Sequence, residues 1–415
     1  MQRDLFDTVI NAYGDDVEAN EDVYERVSDA LHTDLASHVK PVGKAQAPVN
    51  VLTRKIRWVQ QSLKRDGLIE RVGQGQWRLT REGKFRLTQI NANKYMVAAH
   101  TELGVYIWAR SEHVFNNVID SDIHLCLTSP PYIGIERSYG THTNEQAYID
   151  WLLSILTPIR QRMVKGASLC LNISNDSVVR SRFGARSMYL EKLTLKMAEE
   201  LELELMDRLC WFANNKAPGP TQFTSIRRTH LLTKYEPILW FCTDAEHCFA
   251  HNANAKQPYS AQMKKLIAEG GESTTRTTPD SKHGVKPGDF ANDNGGALFG
   301  NVLQHGINCA EKNQLVKEAE RLGLAPNNAT FPVALAKTLI QWLCPEGGLV
   351  VDPFGGYATT GSAAEQTNRR WLCTEMHWDY IRVALARFKQ RAGYFVNPRF
   401  LELDEPLIRR RFASA

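Results

Sequence analysis

The chain of 415 residues contains eight cysteines but no CxxC pair. That excludes the usual zinc-ribbon and redox spacings, and single scattered cysteines suit a reducing cytoplasm better than a disulfide framework. No apolar run reaches the roughly 18 residues that a membrane-spanning helix needs. The opening MQRDLFDTVI lacks a basic stretch followed by an apolar core, so no secretion signal is expected. The twelve histidines have no clustered carboxylates at metal-ligand spacing, and no metal is expected. A net charge of +4 is too small to indicate a partner by itself.

What is present is an uneven distribution of charge. Residues 1–36 carry ten acidic side chains against two basic ones, whereas residues 51–86 carry ten Lys and Arg against three acids. Such a basic excess is what a phosphate-contacting surface requires, and a merely solvated helix face is the plainer alternative. Within it Leu52, Ile56, Val59 and Leu63 recur at four, three and four residues, the spacing of an amphipathic helix. Arg54, Lys55, Arg57, Lys64 and Arg65 fall largely off that stripe and are the candidate DNA contacts. Gly67 is placed to end the helix. Two strand-like runs follow, Leu68–Val72 and Trp77–Thr80, joined by Gly73-Gln74-Gly75-Gln76. Short helical stretches at Asp4–Tyr13 and Val23–Leu31 precede it. Helices, a basic helix and a Gly-turned hairpin together resemble a small α+β winged-helix domain, predicted over residues 1–95. A winged helix serving protein contacts is the alternative.

Residues 96–415 change rhythm to strands alternating with helices, the pattern of an α/β fold with a largely parallel sheet. Ile123–Thr128, Ser168–Ile173, Pro237–Cys242 and Leu349–Val351 read as buried strands. Gln146–Val164, Ser187–Glu204, Phe331–Leu343 and Thr360–Thr367 read as helices. Residues 243–300 break the rhythm with many Asn, Gly and Pro, and read as an irregular insert.

Two stretches carry chemistry. Thr128-Ser129-Pro130-Pro131-Tyr132 directly follows a predicted strand. Two prolines there fix the backbone and remove two N–H donors, leaving carbonyls and the Ser129 side chain as acceptors at the carboxyl edge of the sheet. An amino group on an aromatic base is a poor nucleophile because its lone pair is delocalised into the ring. Acceptors that take its two N–H bonds return that lone pair to the nitrogen, and Tyr132 can stack on a base taken out of the duplex. Alone, the stretch reads first as a strand followed by a proline turn. The second stretch is Asp352-Pro353-Phe354-Gly355-Gly356-Tyr357-Ala358-Thr359-Thr360-Gly361, between a strand and a helix, followed by Trp371-Leu372-Cys373-Thr374-Glu375. Glycines allow close approach to a ligand, the helix N-terminus suits an anion, and an acid at the next strand end can hold ribose hydroxyls.

Together these residues resemble the DNA amino-methyltransferases, whose (D/N/S)-P-P-(Y/F) catalytic motif pairs with a D-P-F-x-G-S-G-T-T cofactor motif. The order, catalytic motif first, is similar to the circularly permuted β group. Leu169–Ile173, Lys234–Phe241 and Asn328–Pro332 resemble its further conserved stretches. The resemblance implies a Rossmann-like methyltransferase domain, S-adenosylmethionine as cofactor and double-stranded DNA as partner, with transfer to N4 of cytosine or N6 of adenine. It implies Ser129, Pro130, Pro131 and Tyr132 as the catalytic residues. Thr128, Thr330, Phe331, Asp352, Phe354, Gly356, Thr359, Thr360 and Glu375 are the implied cofactor contacts. Residues 243–300 fall where this group carries its target-recognition region, with Lys256, Tyr259, Arg276, Lys282 and Lys286 as candidates against DNA. A bacterial, nucleoid-associated enzyme of the cytoplasm is implied, with a cognate restriction endonuclease and a second copy of the chain as candidate partners. Ser129 goes mainly with cytosine N4 in this family. Tyr357 and Ala358 depart from its Ser and Gly, and if Ala358 is left-handed the strain costs about 1–3 kcal/mol. The rivals are N6-adenine methylation, an RNA or protein-glutamine methyltransferase, and a winged-helix regulator carrying an inactive methyltransferase domain.

Overall fold

The computed structural model describes residues 2–14, 16–42, 47–80, 83–84, 87, 94–133, 144–174, 184–213, 215–216, 221–277, 284–307, 309–324, 326–327 and 330–403.

The amino-terminal unit runs helix Gln2–Asn11, strand Glu18–Ala19, helix Asn20–Ala30, helix Val51–Arg65, then strands Ile69–Gly73 and Gln76–Leu79. The three strands form one antiparallel sheet with Gln76–Leu79 in the middle. A separate two-stranded ladder pairs Val39–Val42 with Ala47–Asn50. The Asn50 side chain caps the third helix by accepting from the Leu52 and Thr53 amides. At its other end Gly67 has φ +70°, its amide donates to the Lys64 carbonyl, and the Leu68 amide donates to that of Leu63. These two hydrogen bonds satisfy carbonyls that the helix end would otherwise orphan. Leu52, Ile56, Val59 and Leu63 are buried in this unit's own core with Val9, Ile10, Val23, Val27, Trp77 and Leu79.

The larger unit is a ten-stranded sheet. In chain order its strands are β1 (Tyr95–His100), β2 (Gly104–Ala109), β3 (Ile123–Thr128), β4 (Met163–Asn172), β5 (Glu204–Phe212), β6 (Tyr235–Cys242), β7 (Val302–Gln304), β8 (Leu349–Asp352), β9 (Arg370–Glu375) and β10 (Phe395–Val396). In space they run β7-β5-β6-β4-β3-β8-β9-β2-β1-β10. The five strands from β4 to β2 are parallel, and antiparallel strands flank them. Helices α1 (Ser111–Asn117), α2 (Glu145–Arg162), α3 (Tyr189–Glu200), α4 (Ala310–Arg321), α5 (Val333–Leu343), α6 (Thr359–Gln366) and α7 (Trp378–Ala384) accompany them.

Two apolar layers cover the sheet. Leu125 and Leu127 of β3 pack with Leu335, Leu339 and Leu343 of α5 and Ala363 of α6. Ile123 and Cys126 pack on the other face with Leu152, Leu156 and Ile159 of α2 and Leu193 and Met197 of α3. Burial on both faces explains why these parallel strands read as continuous apolar runs. The sheet positions the site through its reversal of direction. From β3 the chain crosses through α2 to β4 on one side, while from β8 it crosses through α6 to β9 on the other. The crevice beyond the carboxyl ends of β3 and β8 is therefore the ligand-binding position of an open α/β sheet.

The predicted elements shift by a few residues. The helix from Gln146 ends at Arg162, and the strand after it already starts at Met163, with no intervening loop. Among the described residues, 243–300 hold one short α-helix, Ala261–Ala268, a single 3-10 turn at Asn252–Asn254 and two ladders of two residues per strand. No helix among the described residues is long and apolar enough to cross a membrane.

Candidate active site

At the carboxyl end of β3, Thr128 is fully buried and its Oγ1 donates to Asp352 Oδ1 at 2.6 Å. Asp352, at the end of β8, also accepts from Thr360 Oγ1 at 2.7 Å and the Phe354 amide at 3.0 Å. Burial lifts its carboxyl above the usual range, and the three hydrogen bonds pull against that. The carboxylate thus ties the end of β3 to the Gly-rich turn and to the first turn of α6.

That turn is held from several sides. Gly356 has φ +53°, its amide donates to Glu375 Oε2 at 2.9 Å, and its carbonyl accepts from Tyr106 Oη at 2.5 Å. Ala358 has φ +52°, so the strained of the two expected conformations is adopted. Its methyl is fully buried, and burying a methyl offsets part of that strain. Tyr357 is buried too: its hydroxyl accepts from the Asn327 amide, and its ring packs edge-on against Tyr380. The departures at 357 and 358 anchor the loop without filling it. Arg387, buried, donates to the Tyr357 carbonyl and to Thr359 Oγ1 and pairs with Glu311 of α4.

Glu375, at the end of β9, accepts from the Gly356 and His377 amides. Burial raises its carboxyl to about 7. Phe354 is half-buried with its ring 5.5 Å from that of Trp151. Phe331 is half-buried against the α5 layer, next to Pro332, which caps α5, and Thr330 is half-exposed beside it. Asn328 and Ala329 lie outside the described residues.

The Ser129–Tyr132 stretch leaves the same edge. Pro130 is buried, and among the described residues its carbonyl takes no hydrogen bond. The Pro131 carbonyl is occupied, accepting from Tyr148 Oη at 2.9 Å, so one of the two expected backbone acceptors serves to hold the loop. Ser129 Oγ lies 3.3 Å from Tyr132 Oη. Tyr132 Oη lies 2.7 Å from Glu236 Oε2 and 3.1 Å from Asn172 Oδ1. Because β6 runs antiparallel to β4, its start lies beside the end of β4, which brings Glu236 to Asn172. Lys216 Nζ pairs with Glu236 Oε1 at 3.1 Å. Sequence reasoning assigned no role to Asn172, Lys216, Glu236 or Arg387. The signal for Glu236 was a carboxylate within an otherwise apolar strand.

The remaining candidates lie elsewhere. Arg54, Lys55, Arg57, Lys64 and Arg65 are all exposed on the third helix of the amino-terminal unit, away from its core stripe. Trp58, 59% exposed, sits among them. In the insert, Lys256 Nζ donates to the Asn294 carbonyl and Tyr259 Oη accepts from the Asn294 amide, so both brace the loop. Arg276 pairs with Glu272, Lys286 is exposed, and Lys282 lies outside the described residues.

Residues 123–386 match the N6_N4_Mtase family of DNA methylases, and residues 3–89 match the Mrr N-terminal domain. The chain is 30% identical over 271 residues to the Type II methyltransferase M.PvuII of Proteus hauseri, covering 65% of this chain and 79% of that one. It is 23% identical over 277 residues to the DNA adenine methyltransferase YhdJ of Escherichia coli K12, covering 66% and 78%. A solved PvuII DNA methyltransferase, described as cytosine-N4-specific, shares the fold with a TM-score of 0.54 at 21% identity, covering 77% of this chain and 96% of that one. The chain belongs to the N4/N6 amino-methyltransferase family of DNA methylases. S-adenosylmethionine is that family's methyl donor and this chain's cofactor.

The site fits that group. A Cβ on Gly356 would meet nothing nearer than Asn327 Nδ2 at 3.8 Å, so the turn faces open space. Beside it stand the Glu375 carboxylate and the first turn of α6, a hydrogen-bond acceptor for hydroxyls and an amide-lined end for an anion.

Proposed function

We propose that the chain methylates the exocyclic N4 of cytosine in a specific double-stranded DNA sequence, as part of a restriction–modification or marking system. The observation that carries this reading is Ser129 beside the unoccupied Pro130 carbonyl, at the edge that also holds the cofactor residues. The Type II relative and the cytosine-N4-specific neighbour favour N4, and the adenine relative favours N6 as the second reading. Digesting methylated DNA to nucleosides and separating them by mass decides between them. N4-methylcytosine is expected, and N6-methyladenine as the sole product would overturn the assignment of the base.

In this reading Glu375 holds the ribose hydroxyls, the turn from Phe354 to Thr360 holds the rest of the cofactor, and Thr330 and Phe331 close over it. Bound there, S-adenosylmethionine supplies an electrophilic methyl group on a sulfonium. The Pro130 carbonyl and Ser129 Oγ accept the two N–H bonds of the target amino group and localise its lone pair. Tyr132 stacks on the extruded base. These groups act by position and fixed dipoles, with no covalent bond to the enzyme.

Glu375→Ala should weaken cofactor binding by roughly 1–3 kcal/mol, the cost of stranding hydrogen-bonded partners, as calorimetry will measure. The pH dependence has a definite sign. With its carboxyl raised from the ordinary 4.5 to about 7, Glu375 supports the fold in its protonated form. That support is lost as pH rises through about 7. The carboxylate formed there is the better acceptor for hydroxyls, so cofactor affinity should climb across the same window. The climb should be absent in Glu375→Gln.

The amino-terminal unit adds DNA affinity through its basic helix. Replacing Arg54, Arg57 and Lys64 together by alanine should lower the slope of log affinity against log salt by roughly 2–3, with cofactor binding unchanged. An unchanged slope would give that helix another partner.

A further inference from the structure

We propose that Glu236, held by Lys216, is a positioning residue that fixes the direction of the Ser129 hydroxyl and makes it a pure acceptor toward the target amino group. The inference rests on the reading that Ser129 accepts from that group. A serine differs from an aspartate at this position in carrying a proton of its own. Pointed at the substrate, that proton would meet the N–H bonds it is supposed to receive. The hydroxyl works as an acceptor only if its proton has somewhere else to go.

The structure supplies that place. Four groups lie in a row: Lys216 Nζ is 3.1 Å from Glu236 Oε1, Glu236 Oε2 is 2.7 Å from Tyr132 Oη, and Tyr132 Oη is 3.3 Å from Ser129 Oγ. Tyr132 has one hydroxyl proton and two acceptors in reach, Glu236 and, at 3.1 Å, the Asn172 side-chain carbonyl. The shorter bond, to the carboxyl group paired with Lys216, takes it. The phenol oxygen is then left to accept, and the only donor the serine can offer is its own O–H. The Ser129 lone pairs therefore face away from Tyr132. Burial and the neighbouring Glu236 hold the Tyr132 hydroxyl well above its ordinary range, so its proton stays in place at working pH. Lys216 Nζ, also 3.4 Å from the Tyr235 carbonyl, keeps Glu236 from turning away. The same row locks the Tyr132 ring, whose face is the stacking surface for the base.

The test is a double-mutant cycle in the full-length enzyme, with DNA from a methylation-deficient strain and labelled S-adenosylmethionine. Glu236→Gln should lower kcat roughly 10- to 100-fold, with KM for DNA and cofactor affinity within about twofold. Tyr132→Phe should lower kcat at least as far. The double variant should be no slower than Tyr132→Phe alone, because Glu236 acts through that hydroxyl. An unchanged kcat in Glu236→Gln overturns the proposal, as do losses that multiply in the double variant or fall wholly in KM. If Glu236→Gln does not fold, Lys216→Met probes the row from its far end, and its kcat loss must likewise vanish in the Tyr132→Phe background. Full activity of Ser129→Ala is a separate outcome that removes the acceptor reading itself.

Discussion

Ser129→Ala is expected to lower kcat by roughly 100- to 1,000-fold, about 2.7–4 kcal/mol, the range for removing one preorganised polar group from a site of charge development. The serine is half-buried and its hydroxyl touches only Tyr132 among the described residues, so alanine leaves neither a cavity nor a stranded buried donor. The fold should hold. Cofactor affinity should be unchanged as well, because the residues around the Gly-rich turn are tied together through the side chains of Thr128, Asp352 and Thr360, none of which hydrogen-bonds to the Ser129 hydroxyl. Loss confined to kcat is the signature of an interaction made in the transition state. Steady-state kinetics on unmethylated DNA, with calorimetry for the cofactor, separates the two. Activity within tenfold of the parent would mean that the Pro130 carbonyl suffices and that the serine is a spacer.

The parts of the molecule that were legible in the sequence are those where one residue type answers one local demand. Ile123–Thr128 is followed, one residue on, by two prolines, and the strand stops before them. Gly67 follows a helix stripe and adopts φ +70°. The flanks of the sheet were less legible. Gly104–Ala109 is a continuous apolar run with no alternation, and Glu204–Phe212 lies between two other strands yet carries Glu204, Asp207 and Arg208 out of any period-two pattern. Neither carries a period that separates strand from helix. The site divides in the same way. Residues proposed to meet the ligand sit in short contiguous motifs, which a sequence displays directly. Residues that hold those motifs in place, Tyr106, Tyr148, Glu236 and Arg387, come from distant parts of the chain and meet them only through the sheet order. Ala358 shows the limit from the other side: the motif marked the position as glycine-like, but only the backbone shows that alanine occupies the left-handed conformation there.

Asp352 is where a ligand role and a holding role compete, and two substitutions separate them. The family resemblance sets this acid near the charged amino end of the cofactor. In the structure its oxygens already receive three donors of the chain, from Thr128, Thr360 and the Phe354 amide, at a position only 2% exposed. Asp352→Ala strands Thr128 Oγ1 and the Phe354 amide in a dry interior, at roughly 1–3 kcal/mol apiece, and leaves Thr360 only its longer bond to the Leu127 carbonyl. A loss of about 3–5 kcal/mol in unfolding free energy is expected, with cofactor binding abolished as the turn comes loose. Asp352→Asn is different. Its carbonyl oxygen still accepts from Thr128 and the Phe354 amide. Thr360 can then turn its proton to the Leu127 carbonyl, 3.2 Å away, and accept from the new amide. Stability should stay within about 1 kcal/mol, because the variant also removes a charge that burial disfavours. Denaturant unfolding and cofactor calorimetry on the two variants then read the roles apart. If Asp352 only ties the turn, the asparagine enzyme binds S-adenosylmethionine as the parent does. If its charge also faces the cofactor's ammonium group, affinity falls roughly 10-fold or more while the fold survives.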